Sequence, residues 1–193
     1  MKLSKLLLMG LLLSGLMMTS AGCNRNASQR VQIEMENGGL IIIELLPQYA
    51  PQTVRNFVNL VEEGFYDGLT FHRIMDGFMA QGGCPNGEGN GGSGTNIVGE
   101  FSANGRRGRE LSHTRGVISM ARGSYYNSAS SQFFIVLGNS PHLNGDYAAF
   151  GRVIEGMDVV EAFQTVERTH NAGGELAQPV EPVVIKQMTI IRQ

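Results

Sequence analysis

Short runs of β-type residues, cut off from one another by glycine and proline, constrain this chain more than any other feature. Val31-Gln32-Ile33-Glu34-Met35-Glu36 alternates apolar and polar side chains, as a half-buried strand does. Asn37-Gly38 follows, the preferred pair for a tight hairpin turn, and Leu40 to Leu46 reads as the returning strand until Pro47 breaks it. Further runs of this kind are Leu69–Met75, Gly77–Gln81, Gly116–Ala121, Gln132–Leu137, Tyr147–Val153 and Val183–Arg192. Helical spacing is confined to two stretches. Pro51 suits a first helical turn, Val54, Phe57, Val58 and Val61 share a face, and Gly64 supplies a stop. Met157 to about Glu167 brings Val159, Val160, Phe163 and Val166 together. Two strands open the chain, more fill its middle and one closes it. The pattern predicts a mainly β fold, a closed antiparallel eight-stranded barrel capped by two α-helices, over a parallel α/β sheet. Closure also hides strand edges that otherwise invite aggregation.

The first residues do not belong to that pattern. Lys2 and Lys5 form a basic segment, Leu6 to Met18 an apolar run, and Ser20-Ala21-Gly22 a small-residue cleavage zone. The apolar run is short for a transmembrane helix. It ends on Cys23, and Ser20-Ala21-Gly22-Cys23 resembles a bacterial lipobox, with Ser20 where Leu is usual. The organisation expected is a lipoprotein signal peptide over 1–22, a tether over 23–30 and one domain over 31–193. Two acyl chains on Cys23, palmitate or similar, would give stable anchoring in the cell envelope, since one chain alone is marginal. With Cys23 acylated, Cys84 has no disulfide partner and reads as a free, nonessential thiol.

Charge and glycine exclude other roles. The formal net charge is −2, and it becomes more negative without Lys2 and Lys5, so nothing draws the domain to nucleic acid. Gly87-Glu88-Gly89-Asn90-Gly91-Gly92 matches the dinucleotide pattern G-x-G-x-x-G, but the residues after it form no helix to hold a pyrophosphate; it reads as a surface loop. Arg106, Arg107 and Arg109 read as a solvated loop. His72 and His113 read as structural. No metal or cofactor is expected, and a monomer is.

The functional signal lies in Phe71-His72-Arg73-Ile74-Met75-Asp76-Gly77-Phe78-Met79-Ala80-Gln81-Gly82-Gly83. Alternation places Phe71, Arg73 and Met75 on one strand face, and after the Asp76-Gly77 turn Phe78 and Gln81 come round to the same side. The result would be a shallow apolar platform beside a fixed guanidinium, and a core strand has no use for such a charge.

This run resembles the signature of the cyclophilins, the peptidyl-prolyl cis-trans isomerases, and Ser131-Gln132-Phe133-Phe134-Ile135 resembles their other hallmark. Further similarity lies in Ala50 to Phe57, Gly116 to Ala121, Leu143-Asn144-Gly145 and Phe150 to Gly156. The resemblance implies that Arg73 is the catalytic arginine, with Gln81 and Gln132 as orienting polar groups. It implies a proline pocket of Phe78, Met79, Phe134 and Leu143, and backbone pairing of substrate at Ala121 and Arg122. His142 stands where animal cyclophilins carry the Trp that contacts cyclosporin. Tyr147 stands where a His often lines the pocket, and Arg122 where an Asn is common in eukaryotic members. The function expected is isomerisation of X–Pro bonds in envelope or exported proteins. The rival is a module or holdase that captures proline segments without turnover; the completeness of the site residues argues against it.

Overall fold

A computed structural model describes residues 29–191. The expected signal peptide, Cys23 and most of the expected tether lie outside the described residues. Eight strands form one antiparallel sheet: β1 (Arg30–Met35), β2 (Leu40–Leu45), β3 (Phe71–Met75), β4 (Met79–Gly82), β5 (Val117–Met120), β6 (Phe133–Val136), β7 (Ala149–Glu155) and β10 (Ile185–Ile191). Their spatial order is β10-β1-β2-β7-β5-β6-β4-β3. The sheet curls until its outer strands meet: Phe71 N–H donates to the Val183 carbonyl and Ile185 N–H to the Leu69 carbonyl, around a single bridge between Thr70 and Val184. The barrel is therefore closed by a short seam, not a full ladder. Two helices accompany it, α1 (Pro51–Glu62) and α2 (Met157–Ala162).

Each expected strand is present, but four local readings change. The β1–β2 turn is one residue longer than a two-residue hairpin: Met35 N–H donates to the Gly39 carbonyl, and Gly38 takes the left-handed conformation (φ +85°). The second helix stops early. It tightens into a 3-10 turn over Phe163–Thr165, where the Thr165 hydroxyl donates back to the Ala162 carbonyl, and Val166 is already extended. The third change is an unforeseen hairpin, β8 (Arg168–His170) with β9 (Leu176–Pro179), which lies alongside β3.

The fourth change is Phe71. It does not share a face with Arg73, because the β3–β4 register slips by one residue between them. A slip of one residue reverses the side-chain alternation. Phe71 is thus fully buried in the barrel interior, edge-on to Phe133 at 5.7 Å, while Arg73 and Met75 stay on the outer face.

Two apolar clusters result. The inner one fills the barrel around Phe57 of α1, whose ring meets Phe150 at 5.1 Å and Phe133 at 5.6 Å. The outer one gathers Met79, Val117, Phe134, Val136, Leu143 and Ala149 against Phe78 and Tyr147. β6 serves both, since Phe133 points inward and Phe134 outward.

Candidate active site

The outer cluster carries the site. Arg73 pairs with Gln81 across the β3–β4 ladder, and Gln81 pairs with Phe134 across β4–β6, so three adjacent strands present these side chains side by side. The Asp76-Gly77 turn returns Phe78 to the same side, with Gly77 in the left-handed conformation (φ +64°) that the turn requires. Together with Met79, Ala121, Arg122, Leu143 and Tyr147 they enclose a cavity of about 150 Å³. Nine of the eleven predicted noncovalent site residues line it. Its floor is Phe134, whose ring packs edge-on to Tyr147 at 5.9 Å and parallel to His113 at 6.1 Å.

The remaining two sit beside it. Gln132 turns into an adjoining cavity of about 320 Å³, where its amide donates to the carbonyls of Gly89 and Gly91. His142 is exposed on the rim, its ring 5.4 Å from that of Phe78. A larger groove of about 720 Å³, between the β1–β2 turn and α2, shares no residue with the proline-sized cavity. Among the described residues, no three His, Cys, Asp or Glu side chains converge as metal ligands would.

Arg73 is held from several sides. Its Nη1 donates to Gln81 Oε1 at 3.2 Å and approaches Met79 Sδ, while Nη2 meets Met75 Sδ at 3.1 Å. Its Nε and Nη2 donate to the two carboxylate oxygens of Glu175, each at 2.7 Å. Glu175, on the unforeseen hairpin, is the residue sequence reasoning missed. Arg73 and then Asn171 hold its carboxyl down to about 2, so the pair is fully charged at neutral pH. The opposite wall is also cationic: the Arg122 guanidinium lies 4.6 Å over the Tyr147 ring and bonds the Asp146 carbonyl.

The two histidines take structural places. His113 Nδ1 faces Asn144 Oδ1 at 3.0 Å and Nε2 faces the Ser119 hydroxyl at 2.9 Å, behind the Phe134 floor. His72 is buried beneath Gly89. Burial lowers the pKa of both imidazoles.

Two readings of neighbouring loops need correction. Cys84 is a free thiol but not an idle one: it is buried, donates to Asn86 Oδ1, and accepts the backbone N–H groups of Gly89 and Gly91. The glycine-rich loop is thus wound around a sulfur atom. Arg106 is not solvated like Arg107 and Arg109. It pairs at 2.9 Å with buried Glu100, which also accepts the Thr53 N–H and hydroxyl in the first turn of α1.

An apolar, proline-sized cavity flanked by a positioned guanidinium and an amide is what an enzyme needs to grip a proline ring while a donor reaches its nitrogen. Residues 30–190 match the family described as cyclophilin type peptidyl-prolyl cis-trans isomerase/CLD. The chain belongs to the cyclophilin family. It is a peptidyl-prolyl cis-trans isomerase, as are its curated relatives. Peptidyl-prolyl cis-trans isomerase B of Bacillus subtilis is 48% identical over 124 residues, 64% of this chain and 82% of that protein. Peptidyl-prolyl cis-trans isomerase ppi1 of Schizosaccharomyces pombe is 41% identical over 148 residues, 76% of this chain and 90% of that protein. A cyclophilin type isomerase of Cryptosporidium parvum superimposes with a TM-score of 0.71 at 30% identity, covering 86% of this chain and 99% of its own. The same protein solved in the presence of the dipeptide Ala-Pro gives 0.70 at 31% identity, covering 86% of this chain and 100% of its own.

Proposed function

We propose that Arg73 accelerates rotation about the X–Pro bond by donating a hydrogen bond to the prolyl nitrogen. The observation that carries this reading is the Nη1 edge of Arg73, held by Gln81 at the mouth of the apolar cavity. Amide resonance sets a barrier of ~18–20 kcal/mol to rotation. In the twisted transition state that resonance is lost and the nitrogen regains its lone pair. A donor aimed there stabilises the twisted state more than either planar one, which is the requirement for catalysis. Arginine suits the task because it stays charged and presents donors in a rigid fork. Phe78, Met79, Phe134 and Leu143 grip the proline ring, Gln81 fixes the fork, and Ala121 and Arg122 present backbone to the peptide. His142 and Tyr147 shape the rim, and Gln132 orients the amide of Gln81. Each tenfold gain requires about 1.4 kcal/mol of differential binding, so a few oriented hydrogen bonds suffice.

The cellular setting belongs to the same proposal. The basic segment, short apolar run and Gly22-Cys23 junction support processing and acylation at Cys23, and residues 24–30 a tether to a monomeric domain. From there the enzyme would assist folding of envelope or exported proteins.

Two measurements test these readings. A protease-coupled assay on a proline tetrapeptide should show activity in the native protein and little in Arg73→Ala, with unchanged circular dichroism; near-normal turnover in that variant would sink the donor assignment. Mass spectrometry of the mature N-terminus should find diacylated Cys23. An unmodified terminus downstream of it would remove the anchor and leave the enzyme.

A further inference from the structure

The β8–β9 hairpin is strapped across β3 at both of its ends. At its base Arg168 forks onto Asp76, with Nη1 to Oδ1 at 2.5 Å and Nη2 to Oδ2 at 2.8 Å, beside the turn that delivers Phe78. At its tip Glu175 forks onto Arg73. The tip is itself tightly built. The Asn171 side-chain oxygen accepts the N–H groups of Gly173 and Glu175, and its amide donates to Glu175 Oε2 at 2.9 Å. The carboxylate therefore arrives already oriented.

A guanidinium has five donor hydrogens. Glu175 occupies the Nε hydrogen and one Nη2 hydrogen, and it does not line the proline-sized cavity. The Nη1 edge is left toward that cavity beside Gln81. Without Glu175, Arg73 would be anchored by one hydrogen bond at 3.2 Å and by thioether contacts, and its long side chain would sample several rotamers.

We infer that Glu175 is a positioning residue for isomerisation, clamping Arg73 from behind so that its Nη1 edge is held at the prolyl nitrogen. The clamp acts on the turnover step and leaves the apolar pocket, and hence substrate capture, untouched. This inference rests on Arg73 being the donor, and the experiment separates the two.

The test is steady-state isomerisation kinetics of Glu175→Ala, Glu175→Gln, Arg73→Ala and the double alanine variant, with thermal unfolding of each. Glu175→Ala should lower kcat roughly tenfold, less than the ~100-fold that a 1 Å misplacement can cost, with KM changed less than about twofold. Glu175→Gln, whose amide oxygen still accepts from Arg73, should recover most of the loss. In the Arg73→Ala background, removing Glu175 should lower kcat no further. A Glu175→Ala enzyme with normal or raised kcat, whatever its melting temperature, would overturn the clamp while leaving Arg73 in place if Arg73→Ala is inactive. An active Arg73→Ala enzyme would overturn the donor assignment itself.

Discussion

Gln81 and Gln132 are joined amide to amide, Gln81 Nε2 donating to Gln132 Oε1 at 2.8 Å. That bond leaves the Gln81 oxygen turned toward Arg73, and the Gln132 amide bound to the glycine-rich loop. Backbone carbonyls cannot rotate to suit a partner, so the loop dictates the orientation of both amides in turn. Gln132→Ala should therefore lower kcat/KM by about 5- to 10-fold by freeing the Gln81 amide, since one lost net hydrogen bond is worth about 1 kcal/mol. Isomerisation kinetics check this; unaltered kcat/KM would show that Gln81 is held without Gln132.

Neighbouring phenylalanines on β6 should behave oppositely. Phe134→Ala empties the cavity floor and should raise KM at least tenfold, a hot-spot loss of about 2 kcal/mol. Phe133→Ala hollows the barrel interior and should cost about 3–5 kcal/mol of stability. Peptide titration and denaturant unfolding of both variants separate the roles. Unchanged peptide affinity in Phe134→Ala would misplace the pocket.

Glu100 should prove a keystone of stability rather than of activity. Removing its carboxylate strands Arg106 and two donors of Thr53 at the start of α1. Glu100→Ala should cost about 3 kcal/mol, as breaking a buried pair from one side does. A melting temperature within a degree or two of the native value would contradict this.

Acid should weaken the fold from two separate onsets. His72 and His113 have pKa values lowered from 6.5 by burial, so below that pH the unfolded chain binds protons the native one refuses. Their contribution is full above 6.5 and is lost as pH falls through the lowered folded values. Glu175 acts further down, its contribution present above 4.5 and lost toward about 2. Melting temperature against pH should thus begin to fall below neutrality, and His113→Gln should flatten part of that first decline. An identical slope in the variant would assign it to other groups.

Sequence periodicity carried the barrel well because its opening strands β1 and β2 bury one face, and the Asp76-Gly77 turn brought Phe78 and Gln81 back to Arg73 as alternation required. Alternation failed at Phe71, because the slip that sends it inward is a property of β3 and β4 together. The hairpin was hidden for a related reason: Arg168-Thr169-His170 and Leu176-Ala177-Gln178-Pro179 are too short and polar to show a period. Glu175 lies 102 positions from its partner, and no local pattern marks a carboxylate for so distant a guanidinium. The partners of Arg106 and Cys84 were hidden likewise: one reads as a solvated loop residue and the other as a nonessential thiol, since an arginine in a glycine-containing loop and a lone thiol show in sequence nothing of what they bind in space.

The pairing of β1 with β10 also bears on the order of events at synthesis. Arg30 lies opposite Ile191 and Val31 opposite Ile190, so the first strand made is flanked on one side by the last. The seam that shuts the barrel, around Thr70 and Val184, waits for the same final stretch. Contacts between such distant parts of a chain form slowly, and an unpaired edge is exposed until they do. An isomerase of X–Pro bonds is thus itself committed to finishing late: until β10 arrives, β1 carries an open flank that, among the described strands, β10 covers.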